Sequence, residues 1–135
     1  MNILFVCKWN CFRSKTAEAI LKKLDVESRY TVKSAGIFPG HVTDDIIEAG
    51  SHLGLDLSAE PKGLSHDLAK WADTIIIVAN DVPREIFEVF EKENELTLLK
   101  WSFHDVNGTT VSKREVLMKE IEAKIKEFIG ELSLD

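Results

Sequence analysis

The chain has 135 residues, 44% of them hydrophobic, and its 17 basic and 23 acidic side chains leave a net charge of −6. That length suits one domain around one core, so residues 1–135 are expected to form a single unit. The acidic balance leaves no positive surplus for a phosphate backbone, which argues against nucleic acid as a partner and requires any anion site to be local and preorganised.

Neither a basic leader nor a small-residue cleavage site precedes Ile3-Leu4-Phe5-Val6. The longest aliphatic run, Ile75-Ile76-Ile77-Val78-Ala79, is too short to span a bilayer, so no membrane partner is expected. A disulfide between Cys7 and Cys11 would close a very small loop and constrain little, so reduced thiols in the cytoplasm are the expected state.

Residues 2–6 read as a short buried strand. Residues 14–24 follow as a helix, with Ala17, Ile20, Leu21 and Leu24 on one face and Ser14 at the cap. Residues 30–34 suit a second strand ended by Ala35-Gly36, and Pro39-Gly40 marks a loop. Thr43 can cap a helix carrying Ile46, Ile47, Gly50 and Leu53 that Gly54 stops. Ser65 can cap a short helix through Trp71, and residues 74–79 make the clearest buried strand. A helix is expected near 82–92 with Ile86, Val89 and Phe90 inward, then a fourth strand at 96–99. Ser112-x-x-Glu115 reads as a capping box ahead of a last helix carrying Leu117, Ile121, Ile125, Phe128 and Leu132.

Apolar strands alternating with helices predict an α/β domain of three layers. Its four-stranded parallel sheet carries helices on both faces. Ligands of such sheets sit beyond the carboxyl ends of the strands, which points to the loop after the first strand. That loop is Cys7-Lys8-Trp9-Asn10-Cys11-Phe12-Arg13, followed by Ser14. Backbone N–H groups of such a loop can form an anion-binding concavity, and the helix start adds donors and a favourable dipole. Arg13 can lay its planar fork on two phosphate oxygens. The same positive surroundings favour a thiolate at Cys7, and Ser14 can donate to the sulfur. The spacing C-x5-R is common by chance; the strand before it and the Ser and helix after it make it specific. Otherwise Cys7 is a small buried hydrophobe and Arg13 a solvated helix residue.

Ile3-Leu4-Phe5-Val6-Cys7, Asn10, Arg13-Ser14 and Ala17-Glu18-Ala19 resemble the opening of the low-molecular-weight protein tyrosine phosphatases. Ser34-Ala35-Gly36 is similar to the stretch after that family's second strand, and Ala72-Asp73-Thr74-Ile75-Ile76 to the lead into its third. The likeness is collinear over essentially the whole chain. It implies hydrolysis of phosphotyrosine or aryl phosphate monoesters through a cysteinyl-phosphate on Cys7. The loop Lys8, Trp9, Asn10, Cys11, Phe12 and Arg13 would wrap the phosphate, and inorganic phosphate would leave as product. No cofactor or metal is implied, because loop and arginine supply the electrostatics. Asn10 resembles the family's loop-organising asparagine, able to adopt left-handed geometry. The family's general acid is an aspartate before the last helix, which maps to Asp105, with His104 as rival and a turn at Asn107-Gly108 as the plain alternative.

This chain departs from the family pattern at several positions. Trp9 stands where the family usually has a small residue; it can stack on an aromatic substrate or narrow the entrance. Phe12 replaces the usual second cysteine, leaving Cys11 one place earlier as a possible redox partner of Cys7 or simply a packed side chain. Lys15 and Val106 replace prolines. Phe38 can wall the pocket and Asp81 can flank the cleft, while His41, His52 and His66 show no metal-ligand spacing. Two other functions fit the same residues. One is arsenate reduction, although the thioredoxin-coupled form needs two further cysteines that residues 70–95 lack. The other is a non-catalytic oxyanion-binding or phosphocarrier module.

Overall fold

A computed structural model describes residues 1–106 and 110–133 (only the backbone at 133), and these described residues form four strands and five α-helices. In order these are β1 (Asn2–Cys7), α1 (Arg13–Leu24), β2 (Thr31–Gly36), α2 (Asp44–His52), α3 (His66–Trp71) and β3 (Thr74–Ile77). A 3-10 turn (Arg84–Phe87), α4 (Glu88–Asn94), β4 (Thr97–Lys100) and α5 (Val111–Ser133) complete them.

The strands lie parallel in the order β2-β1-β3-β4. Ile3, Leu4, Phe5 and Val6 of β1 and Ile75, Ile76 and Ile77 of β3 have no exposed area, as a sheet covered on both faces demands. Helices α1 and α2 both pack against α5, whereas α3 packs against α4, which gives the three layers expected. The stripe Leu117, Ile121, Ile125 and Phe128 of α5 is buried, and Trp101 bridges it to the sheet. Its ring lies 5.7 Å from Phe128 and 6.1 Å from Phe5. Each large apolar side chain so buried contributes about 1.5–3 kcal/mol.

Several local expectations are corrected. Helix α1 starts at Arg13 with Phe12 in the cap position, and no side chain caps it; Ser14 lies inside the first turn. Thr43 precedes α2 as expected, but its hydroxyl bonds Asp45 rather than the helix backbone. Strand β3 ends at Ile77, while Val78 and Ala79 stay buried beyond it. The helix expected at 82–92 is a 3-10 turn followed by α4. Three residues per turn shift the apolar phase, so Phe87 is fully buried while Ile86 and Val89 are 40% and 52% exposed. The capping signal before α5 sits at Thr110, whose Oγ1 accepts the Lys113 N–H at 3.4 Å; Ser112 is already helical.

Candidate active site

Strand β1 delivers Cys7 to the carboxyl edge of the sheet, opposite Gly36 of β2, and the chain turns through residues 8–12 into α1. Asn10 makes that turn at φ 51°, the left-handed conformation an asparagine tolerates. The turn aims the Asn10 N–H at Cys7 Sγ, 3.3 Å away. Cys7 is 2% exposed, so the sulfur sits at the floor of the loop.

The Asn10 side chain is buried and fully used. Its Oδ1 accepts the backbone N–H of Lys62 at 2.8 Å, which fixes the amide orientation. Its Nδ2 then donates to Ser14 Oγ at 2.8 Å and Ser34 Oγ at 3.0 Å. Ser34 Oγ in turn donates to Glu18 Oε1 at 2.5 Å. Ser14 accepts from Asn10 and lies 3.0 Å from Cys7 Sγ; where the sulfur is a thiolate, which can only accept, the Ser14 hydroxyl is the donor of that pair. The network thus gives the sulfur two donors, the Asn10 amide and the Ser14 hydroxyl, the pattern that favours a negative charge there. Sequence reasoning missed Ser34 and Glu18 as parts of the site. A signal existed, since Glu18 follows Ser14 by one helical turn on the same face.

The segment after β2 is zipped to the loop. Ile37 N donates to Cys7 O at 3.1 Å, Phe38 N to Lys8 O at 2.9 Å and Gly40 N to Trp9 O at 2.8 Å. A Cβ on Gly36 would lie 2.6 Å from Asn10 N, Trp9 C and Phe38 O. Gly36 is therefore needed for this close approach, not merely as a strand end. Gly40 likewise leaves room for Trp9, whose Cβ would lie 2.9 Å from a side chain there. The rings of Trp9 and Phe38 meet at 5.5 Å with a 38° tilt, and Lys8 Nζ stands 5.3 Å from the Trp9 ring centre. Trp9, Cys11, Pro39, Gly40 and His41 line a shallow cleft at this rim.

Arg13 is 3% exposed and held from two loops. Its Nη1 donates to Phe103 O at 3.0 Å, and its Nη2 faces both Asp81 oxygens at 3.1 and 3.3 Å. Asp81, expected only to flank the cleft, is thus the ion-pair partner of Arg13. Phe103 O also accepts the Asn80 N–H at 2.9 Å, and Asn80 Nδ2 lies 3.0 Å from His104 Nδ1. The loops after β3 and β4 are therefore joined to one another and to the arginine.

Cys11 is half-buried and Phe12 buried. Burial chiefly, then the neighbouring Cys7 and the Asp105 carboxylate, raise the Cys11 pKa above the ordinary thiol value, against the pull of Arg114 and Arg13. Cys11 therefore stays a neutral thiol near pH 7. Asp105 is exposed on the segment after β4, and its carboxylate adds to the rise of the Cys11 pKa. The turn expected at Asn107-Gly108 lies outside the described residues. Among the described residues no group of three or more His, Cys, Asp or Glu could hold a metal, and no helix is long and apolar enough to cross a membrane.

Known proteins place this geometry in a family. The profile of the low molecular weight phosphotyrosine protein phosphatases matches residues 2–133. Arsenate reductase 1 of Staphylococcus epidermidis is 30% identical over 128 residues, 94% of each chain. The protein-arginine-phosphatase of Bacillus subtilis is 27% identical over all of this chain and 99% of its own. Among solved structures, an arginine phosphatase from Geobacillus stearothermophilus superposes with a TM-score of 0.84. At 22% identity over 98% of this chain and 93% of that one, it shares the fold. On the match across nearly its whole length, the chain belongs to the low-molecular-weight phosphotyrosine protein phosphatase family.

Proposed function

We propose that this protein hydrolyses phosphate monoesters, phosphotyrosine or aryl phosphates, with Cys7 as nucleophile. The observation that carries the reading is the buried Cys7 sulfur, held by the Asn10 amide and the Ser14 hydroxyl, in a loop that ends at the buried Arg13. The sulfur attacks phosphorus and the ester oxygen leaves with a proton from Asp105. Water then cleaves the cysteinyl-phosphate to free inorganic phosphate and the thiolate. The backbone of Lys8, Trp9, Asn10, Cys11 and Phe12 and the Arg13 fork hold the equatorial oxygens. Two free cysteines suit a reducing, cytoplasmic setting.

The Trp9–Phe38 rim favours an aryl leaving group. The Trp9 face already carries the Lys8 ammonium. The guanidinium portion of a phosphoarginine side chain would meet a like charge there, whereas a phenyl ring would not. The arsenate-reductase relative supports a second reading, arsenate reduction with external thiol. The sequence holds two cysteines, both in this loop, so a longer cysteine relay has no residues to use. A substrate panel separates the readings: turnover of phosphotyrosine peptide and aryl phosphate is expected above that of phosphoarginine. Arsenite formation from arsenate with a thiol reductant, without phosphate release from aryl phosphate, overturns the proposal. Arg13→Lys keeps the charge but loses the fork, and should cost at least ~3 kcal/mol of transition-state stabilisation, roughly a hundredfold in kcat/KM. An unchanged value removes Arg13 as the clamp.

A further inference from the structure

We infer that Arg114 is a positioning residue for the phosphate loop, acting through Phe12 and anchored by Asp45. This rests on the loop being an oxyanion site, as proposed above. Phe12 is where the loop is handed to α1: it takes the cap position at φ −140°, ψ −69°, and its carbonyl receives the first helical bond, from Thr16 N at 2.8 Å. Its ring, 3% exposed, lies under the Arg114 guanidinium at 4.9 Å from carbon to ring centre. No side chain caps α1, so the Phe12 ring, packed in the core with the Arg114 guanidinium on its face, is the side-chain anchor at the residue immediately before Arg13.

Arg114 is itself 4% exposed, an unusual place for a cation. Its Nε donates to Asp45 Oδ2 at 2.6 Å, and the Thr43 hydroxyl meets the other oxygen. The Thr43 bond chiefly, then Arg114 itself against the effect of burial, holds the Asp45 carboxyl below its usual range, so the pair is ionised at neutral pH. Arg114 is buried while the Asp45 side chain is 34% exposed, so the pair is only partly desolvated, and apolar residues of similar volume often serve as well at such a position. Here the cation does something an apolar residue could not. It holds an aromatic face and brings a second positive charge close enough to the loop to oppose the rise of the Cys11 pKa. Arg13 is fixed by Asp81 and Phe103 on one side, and Phe12 by Arg114 on the other, so the end of the loop is gripped from both.

Inorganic phosphate binding by isothermal titration calorimetry, with thermal melting alongside, tests this. Arg114→Met keeps the stem and removes the charge; phosphate should bind about tenfold more weakly, the scale of a desolvated cation–π contact. Phe12→Leu should do the same, and the double variant should lose little more, because both act through one contact. Asp45→Asn leaves Arg114 in place without its anchor and should show a partial loss, which keeps the test open if Arg114→Met does not fold. A role confined to joining α5 to α2 predicts a lower melting temperature with phosphate affinity unchanged. Affinity within about twofold of the parent in folded Arg114→Met or Asp45→Asn, or strict additivity with Phe12→Leu, overturns the inference. A parent chain that binds phosphate without hydrolysing aryl phosphate would sink the proposed function and leave this test intact.

Discussion

Cys7→Ser will remove turnover while leaving phosphate binding in place. The two properties are separable because they sit on different atoms. Binding belongs to the loop amides and to Arg13, whose guanidinium is held by Phe103 O at 3.0 Å and by Asp81; of these groups the Asn10 N–H bonds the substituted atom, at 3.3 Å, and the Arg13 contacts do not involve it. Attack belongs to the sulfur alone. The Asn10 N–H at 3.3 Å and the Ser14 hydroxyl at 3.0 Å can stabilise a thiolate, but they leave a serine hydroxyl a protonated, weak nucleophile with no base beside it. Removing a covalent nucleophile costs on the order of 10⁴ or more in rate, so activity on an aryl phosphate should fall to the limit of detection. Calorimetry with inorganic phosphate should give an affinity close to the parent's. Residual turnover within about tenfold of the parent would exclude Cys7 as the attacking atom, since no mechanism through its sulfur survives the change.

The fold was legible because its strongest signals are local. The apolar run at β1 and the isoleucines of β3 can satisfy their periodicity only as strands covered on both faces, and the α5 stripe only as a helix. The sequence failed where tertiary packing overrides a local rule. Ser14 has the composition of a cap, yet its hydroxyl is taken by Cys7 and Asn10, and the helix begins one residue earlier. Ile86 and Val89 lost their inward places to Phe87 when the turn tightened to 3-10.

At the site, Cys7, Asn10, Arg13 and Ser14 could be found because they share one short loop. Their partners could not be read so easily. Ser34 lies on β2 and Asp81 on the turn after β3, and only the parallel register of the sheet brings them in. Gly36 looked like punctuation, but it is the clearance through which Asn10 and Trp9 pass.

Asp105→Asn should slow hydrolysis by about 10²–10⁴ on esters with poor leaving groups, the contribution of a positioned proton donor. The residue follows β4 on the segment whose Phe103 carbonyl is tied to Arg13 and whose His104 is tied to Asn80, so it is carried on a loop already fastened to the phosphate clamp. Its charge is felt at Cys11, on the same loop as the nucleophile. With p-nitrophenolate as leaving group the loss should be much smaller, because that oxygen departs as an anion and needs little protonation. The pH profile gives an independent reading. An acid must be protonated to act, so the parent's activity should fall as pH rises past the acid's ionisation, and Asp105→Asn should flatten that alkaline limb. The limb set by ionisation of the nucleophile should remain. A variant that merely disturbed the loop would shift Arg13 through Phe103, slowing good and poor leaving groups alike and keeping both limbs. That result would move the proton donor to His104, whose Nδ1 faces Asn80, and His104→Gln would then carry the leaving-group dependence in its place.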